Sequence, residues 1–206
     1  PRALVAGLFN QWDNATVSTN GLALDLPAGK PMPSKAAMPK LPQFNMRDLK
    51  RPEHGCKDLR AGFSFDMWML LDSTKAGQSI LDNRDQAGKG ILISSRSDGS
   101  LGIVMNDGRS ESSWRSDRGM IQGGKRHHVN VTVDGGPKII TFVIDGVLSD
   151  GGDERQFGWG RFSPNLRTPT GSDTLRIHQG VQSLRVYNRA IRVSEAVANF
   201  RAGAGP

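Results

Sequence analysis

The strongest constraint on this chain is hydrophobic alternation at period two, broken repeatedly by glycine turns. Gly62 to Asp72 reads G-F-S-F-D-M-W-M-L-L-D. Phe63, Phe65, Met67, Met69 and Leu71 therefore share one face of an extended strand. Ser64, Asp66, Trp68 and Leu70 take the other face, whose mixed character predicts partial cover. Further strands are expected at Ser79–Leu81, Gly90–Arg96, Leu101–Asn106 and Arg109–Arg115. Val129, Val131 and Val133 alternate with Asn130 and Thr132 in another, followed by Ile139–Asp145, Thr174–His178 and Val181–Asn188. Asp98-Gly99, Asp107-Gly108, Gly135-Gly136 and Asp145-Gly146 separate them. Asp-Gly favours a type I′ hairpin, which needs positive φ at both central residues. Many short strands joined by such turns indicate a sandwich or barrel.

A Gly-rich loop is expected from Asp150 to Gly160. Ser194 is placed to cap a short closing helix, with Val197 and Phe200 on its buried side and Gly203 just beyond. The length of 206 residues suits one all-β domain spanning residues 1–206, with no internal repeat. No apolar run reaches the roughly 20 residues of a membrane-spanning helix. Cys56 is the only cysteine, which excludes an internal disulfide and a cysteine-based metal cluster.

The net charge of +7 is unevenly placed. Residues 30–60 hold eight basic side chains, including Lys35, Lys40, Arg47, Lys50 and Arg51, against Asp48, Glu53 and Asp58. The same stretch carries Pro31, Pro33, Pro39, Pro42 and Pro52. Proline removes a ladder donor, so residues 27–60 are expected as an irregular basic arm and residues 61–202 as the strand-rich body. Such an arm suits an anionic surface or a partner protein chain. Nucleic acid fits least, because Phe44 is its only aromatic and no recognition helix is visible.

Several segments then resemble one family in order. F-S-F-D-M-W-M (63–69), G-K-R-H-H-V-N-V-T-V-D-G (124–135), F-V-I-D-G-V-L (142–148), V-Q-S-L-R-V-Y-N-R-A-I-R-V-S-E-A (181–196) and N-G-L-A-L-D-L (20–26) resemble the laminin-G-like, concanavalin A-like lectin/glucanase modules of bacteria. Arg126 departs from that pattern, standing where the family usually has Trp, and Val143 replaces an aromatic. The resemblance implies an all-β, two-sheet antiparallel jelly roll outside the cytoplasm: periplasmic, cell-surface or secreted. Its members are carbohydrate-binding modules, adhesion domains or modules of secreted enzymes, and some bind calcium.

Glycosidases on this fold usually carry E-x-D-x-x-E on one strand. Retaining chemistry needs carboxyls about 5 Å apart and inverting chemistry about 6.5–9.5 Å. Glu53, Glu111, Glu154 and Glu195 offer no such spacing, so no catalytic residue is assigned. His127 and His128, adjacent in a strand, face opposite ways and cannot share one ion. Calcium is the one cofactor left open, with candidate oxygens on Asp82, Asn83 and Asp85 and on Asp150, Asp153 and Glu154. Asp-Gly clusters are equally ordinary turn chemistry.

A sugar needs an aromatic face for its pyranose ring. Trp68 matches a strand tryptophan of the family and is expected in the core. Trp12, Trp114 and Trp159 are the platform candidates, each also capable of packing down as a lid. Asn14 and Asn130 lie in N-glycosylation sequons, relevant only to a eukaryotic secretory source. Two functions follow: a non-catalytic carbohydrate-binding or adhesive module taking a polysaccharide or glycan, or a docking subunit of a larger assembly held through the basic arm.

Overall fold

The computed structural model describes residues 16–42 and 62–203. Arg47, Lys50, Arg51 and Trp12 lie outside those residues. In chain order the strands are β1 (Leu22–Leu26), β2 (Lys35–Ala37), β3 (Gly62–Leu70), β4 (Ser79–Asp82), β5 (Gly90–Ser95), β6 (Leu101–Asn106) and β7 (Glu111–Arg115). They continue with β8 (Arg126–Asp134), β9 (Ile139–Ile144), β10 (Val147–Leu148), β11 (Gly160–Arg161), β12 (Thr174–Ile177) and β13 (Val181–Tyr187). A helix, α1 (Val193–Ala202), closes the described chain.

The strands form two antiparallel sheets. The first runs β1-β13-β3-β8-β9-β10, with β11 also on β9; the second runs β2-β12-β4-β5-β6-β7. This is the expected two-sheet sandwich. Register explains the core. Phe63 pairs with Val133, Phe65 with Val131 and Met67 with Val129, so the inward positions of β3 and β8 meet on one face. Ile91, Ile93, Ile103 and Met105 of the second sheet complete the buried cluster. Phe63, Phe65 and Phe142 are fully buried, each stabilising the fold by about 1.5–3 kcal/mol.

The outward face of the first sheet is covered as well. Tyr187 Oη donates to the Ser18 carbonyl (2.9 Å), and Asn199 Nδ2 of α1 donates to Tyr187 Oη (3.1 Å). Trp68 lies on this face, stacked at 5.8 Å on Phe200 of α1. Trp68, expected in the core from the family pattern, is only partly buried: the odd residues of β3 fill the space between the sheets, and Trp68, on the other face as the alternation predicts, packs against the helix. The helix starts one residue before Ser194. Arg192 is its N-cap, and the Glu195 carboxylate accepts the Arg192 N–H at 2.9 Å, so the glutamate rather than the serine fixes the start.

Turn chemistry also differs from expectation at two of the three Asp-Gly turns; at 107–108 only Gly108 has positive φ. Asp145 and Gly146 both have positive φ (51° and 74°), as a two-residue type I′ loop requires. At 98–99 only Gly99 does. Asp98 instead accepts Ser100 N–H (3.1 Å) and Ser100 Oγ (2.6 Å) through its carboxylate, organising a longer loop. The basic arm is not irregular throughout. Lys35 opens β2, an edge strand on β12 in which Arg176 pairs with Lys35. An edge is where a proline-flanked strand is tolerated. Lys35 and Lys40 are both exposed.

Candidate functional site

The free edge of β9 is covered by a strand in two pieces. Leu148 pairs with Val143, Ser149 N–H donates to the Phe142 carbonyl at 2.9 Å, and pairing resumes with Gly160 opposite Ile140. Residues 150–159 leave the sheet between these points and return to it. The Gly-rich composition makes that return feasible. A Cβ on Gly158 would clash with the Ser149 carbonyl, and one on Gly160 would enter the Trp114 ring.

Trp114 holds this loop. It sits on β7 opposite core residue Ile103, packs against the core, and donates its indole N–H to the Gly158 carbonyl at 3.2 Å. The Arg155 guanidinium lies 4.7 Å from its ring centroid, a cation–π contact. Arg155 also donates to the Arg115 carbonyl at 2.9 Å and pairs with Asp117. Asp117 further accepts the Gly151 N–H at 3.1 Å. One ring face of Trp114 is thus met by the Gly160 backbone, and the arginine stacks on the ring. Of the platform candidates, Trp114 is a pillar.

Trp159 is different. It is 36% exposed and stacks on Phe157, itself 47% exposed, with ring centroids 4.7 Å apart and planes 25° from parallel. Gly158, flat against Ser149, separates the two rings in sequence. Phe157 was not singled out from the sequence. The signal for it was the F-G-W-G alternation, in which glycines lie against the body and aromatics project. Val147 and Leu148, also exposed, extend this apolar edge.

The calcium candidates are not brought together. Among the described residues no three His, Cys, Asp or Glu side chains converge where they could hold a metal ion. Asp82 is paired with Arg84 (3.0 Å) and Arg176 (3.1 Å). Burial pushes its carboxyl up, yet the hydrogen bonds from Arg84 and Arg176 outweigh this and hold it low. Asn83 Oδ1 accepts Ile91 N–H at 2.7 Å, and Asp85 Oδ1 caps Ala87 and Lys89 N–H. Asp150 Oδ1 accepts Gly152 N–H, Glu154 pairs with Arg118 at 3.2 Å, and Asp153 is exposed. Asp82, Asp85 and Glu154 thus already serve guanidinium and backbone N–H groups, whereas calcium takes six to eight converging oxygens.

The histidine pair separates as a strand demands. His127 Nε2 accepts Gln122 N–H at 3.0 Å, so Nδ1 carries the proton it shares with Asp145 Oδ2 at 2.7 Å. Asp145 Oδ1 also accepts His128 N–H at 2.8 Å. The H-H and D-G motifs thus form one hydrogen-bonded unit. His128 faces Asp66 (3.2 Å) beneath α1. Asn130 is buried, its amide donating to the Phe65 carbonyl, so its sequon is closed.

The glutamates are engaged too. Two hydrogen bonds from Arg189 hold the Glu195 carboxyl at about 2, well below the usual range. Glu111 accepts a bond from Asn106 Nδ2 at 3.1 Å. Glu53 lies outside the described residues.

Among the described residues, no helix is long and apolar enough to cross a membrane. Solved structures share this fold. The CBM40 of the Ruminococcus gnavus IT-sialidase, bound to alpha2,3 sialyllactose, aligns at TM-score 0.55 and 14% identity, over 86% of this chain and 98% of that one. The binding domain of botulinum neurotoxin DC, in complex with rat synaptotagmin II, aligns at TM-score 0.50 and 13% identity. That match covers 68% of this chain and 35% of the toxin domain. The serotype D binding domain gives 0.51 and 13%, over 69% and 37%. The chain thus spans about a third of the toxin domains' length, and at these identities the likeness is one of fold. No curated protein matches the sequence. A family model matches residues 50–196, most of the chain, and the protein belongs to the concanavalin A-like lectin/glucanases superfamily.

Proposed function

We propose that this chain is a non-catalytic carbohydrate-binding module acting outside the cytoplasm, with Phe157 and Trp159 as its sugar platform. The observation that carries the reading is the exposed, stacked aromatic pair on a loop pinned by Trp114, Arg155 and Asp117. An exposed aromatic face matches the apolar C–H face of a pyranose, and a pinned loop loses little entropy when the sugar docks. The glutamates support a non-catalytic role: Glu111 lies on β7, Glu154 in the loop between β10 and β11 and Glu195 in α1, so no two of them share a strand. The sialyllactose on the structurally similar CBM40 agrees with a glycan as ligand.

A glycan array followed by titration of the best ligand tests this. Trp159→Ala is expected to weaken binding by about tenfold or more, as loss of an exposed aromatic anchor does. Unchanged binding in both Trp159→Ala and Phe157→Ala contradicts the platform. One observation favours a second reading, a docking subunit of a larger assembly. Val147 and Leu148 enlarge the apolar edge beyond a single sugar ring, whereas Lys35 and Lys40 belong to the opposite edge of the sandwich, beside β2. A wild-type chain that binds no glycan, yet buries this edge against a protein, selects that reading.

A further inference from the structure

At the other end of the first sheet a second concavity opens. Ile140 pairs with both Gly160 and Val133. From Val133 back to Arg126 is seven residues of β8, about 23 Å at the strand rise. There the turn at Ala28–Gly29, where Gly29 has φ +82°, faces the starts of β8 and β13 across a groove of about 470 Å³. Lys30 and Arg126 supply its charge, Gln179 and Gln182 its amides, and Met32 and Val181 an apolar wall.

Two features distinguish this groove from ordinary basic surface. No carboxylate lines it, and its two cations, Lys30 and Arg126, have no acidic partner among the described residues. Arg126 is also positioned in advance, its guanidinium stacked 4.6 Å from the Trp68 ring centroid, with Trp68 backed by Phe200. Its forked donors remain directed at solvent with reduced freedom. This is the position where the motif the chain resembles carries Trp.

We propose that this groove binds an acidic sugar residue, the carboxylate or sulfate of a polysaccharide unit pairing with Arg126 and Lys30. Guanidinium geometry suits either anion through paired N–H donors. The glutamines are placed for ring hydroxyls, and the volume, at the lower end of ligand sites, suits one or two sugar units. The inference extends the glycan-binding reading to a distinct site and to a charge class.

The test uses the chain with three oligosaccharides in titration calorimetry: oligogalacturonate, a sulfated oligosaccharide and a neutral one of equal length. Lys30→Gln, Arg126→Gln and their combination are compared with wild type, and Trp159→Ala serves as the separate probe of the platform. The double variant is expected to lose about tenfold in affinity for the charged ligands, as loss of charge-assisted hydrogen bonds does. The neutral ligand is unaffected. Preference for the carboxylated or the sulfated ligand assigns the anion. Lys30→Gln changes an exposed turn residue and leaves folding intact, so it remains informative if Arg126→Gln loosens the Trp68 contact. Charged and neutral ligands bound equally by wild type, or charged binding retained in the double variant, overturns the groove. Loss of neutral binding in Trp159→Ala with charged binding retained separates the groove from the platform.

Discussion

Two loops of this sandwich are built from the same residue types and put to opposite use. The turn after β4 reads D-N-R-D-Q-A-G-K-G, and the excursion between β10 and β11 reads D-G-G-D-E-R-Q-F-G-W-G. In the first, Asp82 is paired with two arginines, and Asn83 and Asp85 cap backbone N–H groups. Nothing apolar is displayed. In the second, Asp117 and Arg155 clamp the loop from within, and two aromatics are left facing solvent. A polar loop spends its polar groups on its own shape. What marks the functional one is the apolar surface that remains unsatisfied afterwards.

Trp114→Ala is expected to have the largest effect on this contrast. It removes a ring packed on the core and the anchor of residues 150–160, at a cost of about 2–4 kcal/mol. Denaturant unfolding measures the loss, and hydrogen exchange would show Gly158 and Gly160 opening while Ile91 and Asp85 stay protected. Equal loosening of both loops breaks the contrast.

Asp82→Asn is the matching probe of the closed turn, with about 1 kcal/mol lost once the exposure of Arg84 and Arg176 is allowed for. The sign with pH follows from the lowered carboxyl. Its contribution is complete above the ordinary carboxyl value of about 4 and fades as pH falls through the lower folded value. Stability of wild type and Asp82→Asn should therefore converge on acidification. A constant gap from pH 7 to pH 2 would remove the ion pairs as its cause.

The smallest effect on stability belongs to Trp159→Ala, expected within about 0.5 kcal/mol because the ring projects from the surface. A loss as large as that of Trp114→Ala would make Trp159 a packing residue too.

The architecture was legible because burial repeats at period two: Phe63, Phe65, Met67 and Met69 could face only one way together. The closing helix was legible in outline, and its start was shifted by Glu195, whose carboxylate reaches back three residues to the Arg192 N–H and so displaces Ser194 from the cap position. The site was half legible. Trp159 stood out by its glycine neighbours, and Trp114 by its polar ones, S-S-W-R-S. Nothing local told the two apart, since the Gly160 backbone that covers Trp114 arrives from another strand. The acidic clusters looked alike for the same reason: Arg176 reaches Asp82 from β12, nearly a hundred positions along the chain. Lys30 and Arg126 could not be paired from sequence, being joined only by the approach of the β1–β2 turn to β8.

The division of labour between the two tryptophans is tested most directly by following the indole N–H resonances of Trp114 and Trp159 while the best array ligand is titrated in. The account predicts that the Trp159 signal shifts on saturation and the Trp114 signal, bonded to the Gly158 carbonyl, stays in place. A shift confined to Trp114, or saturation with neither signal moving, would contradict it.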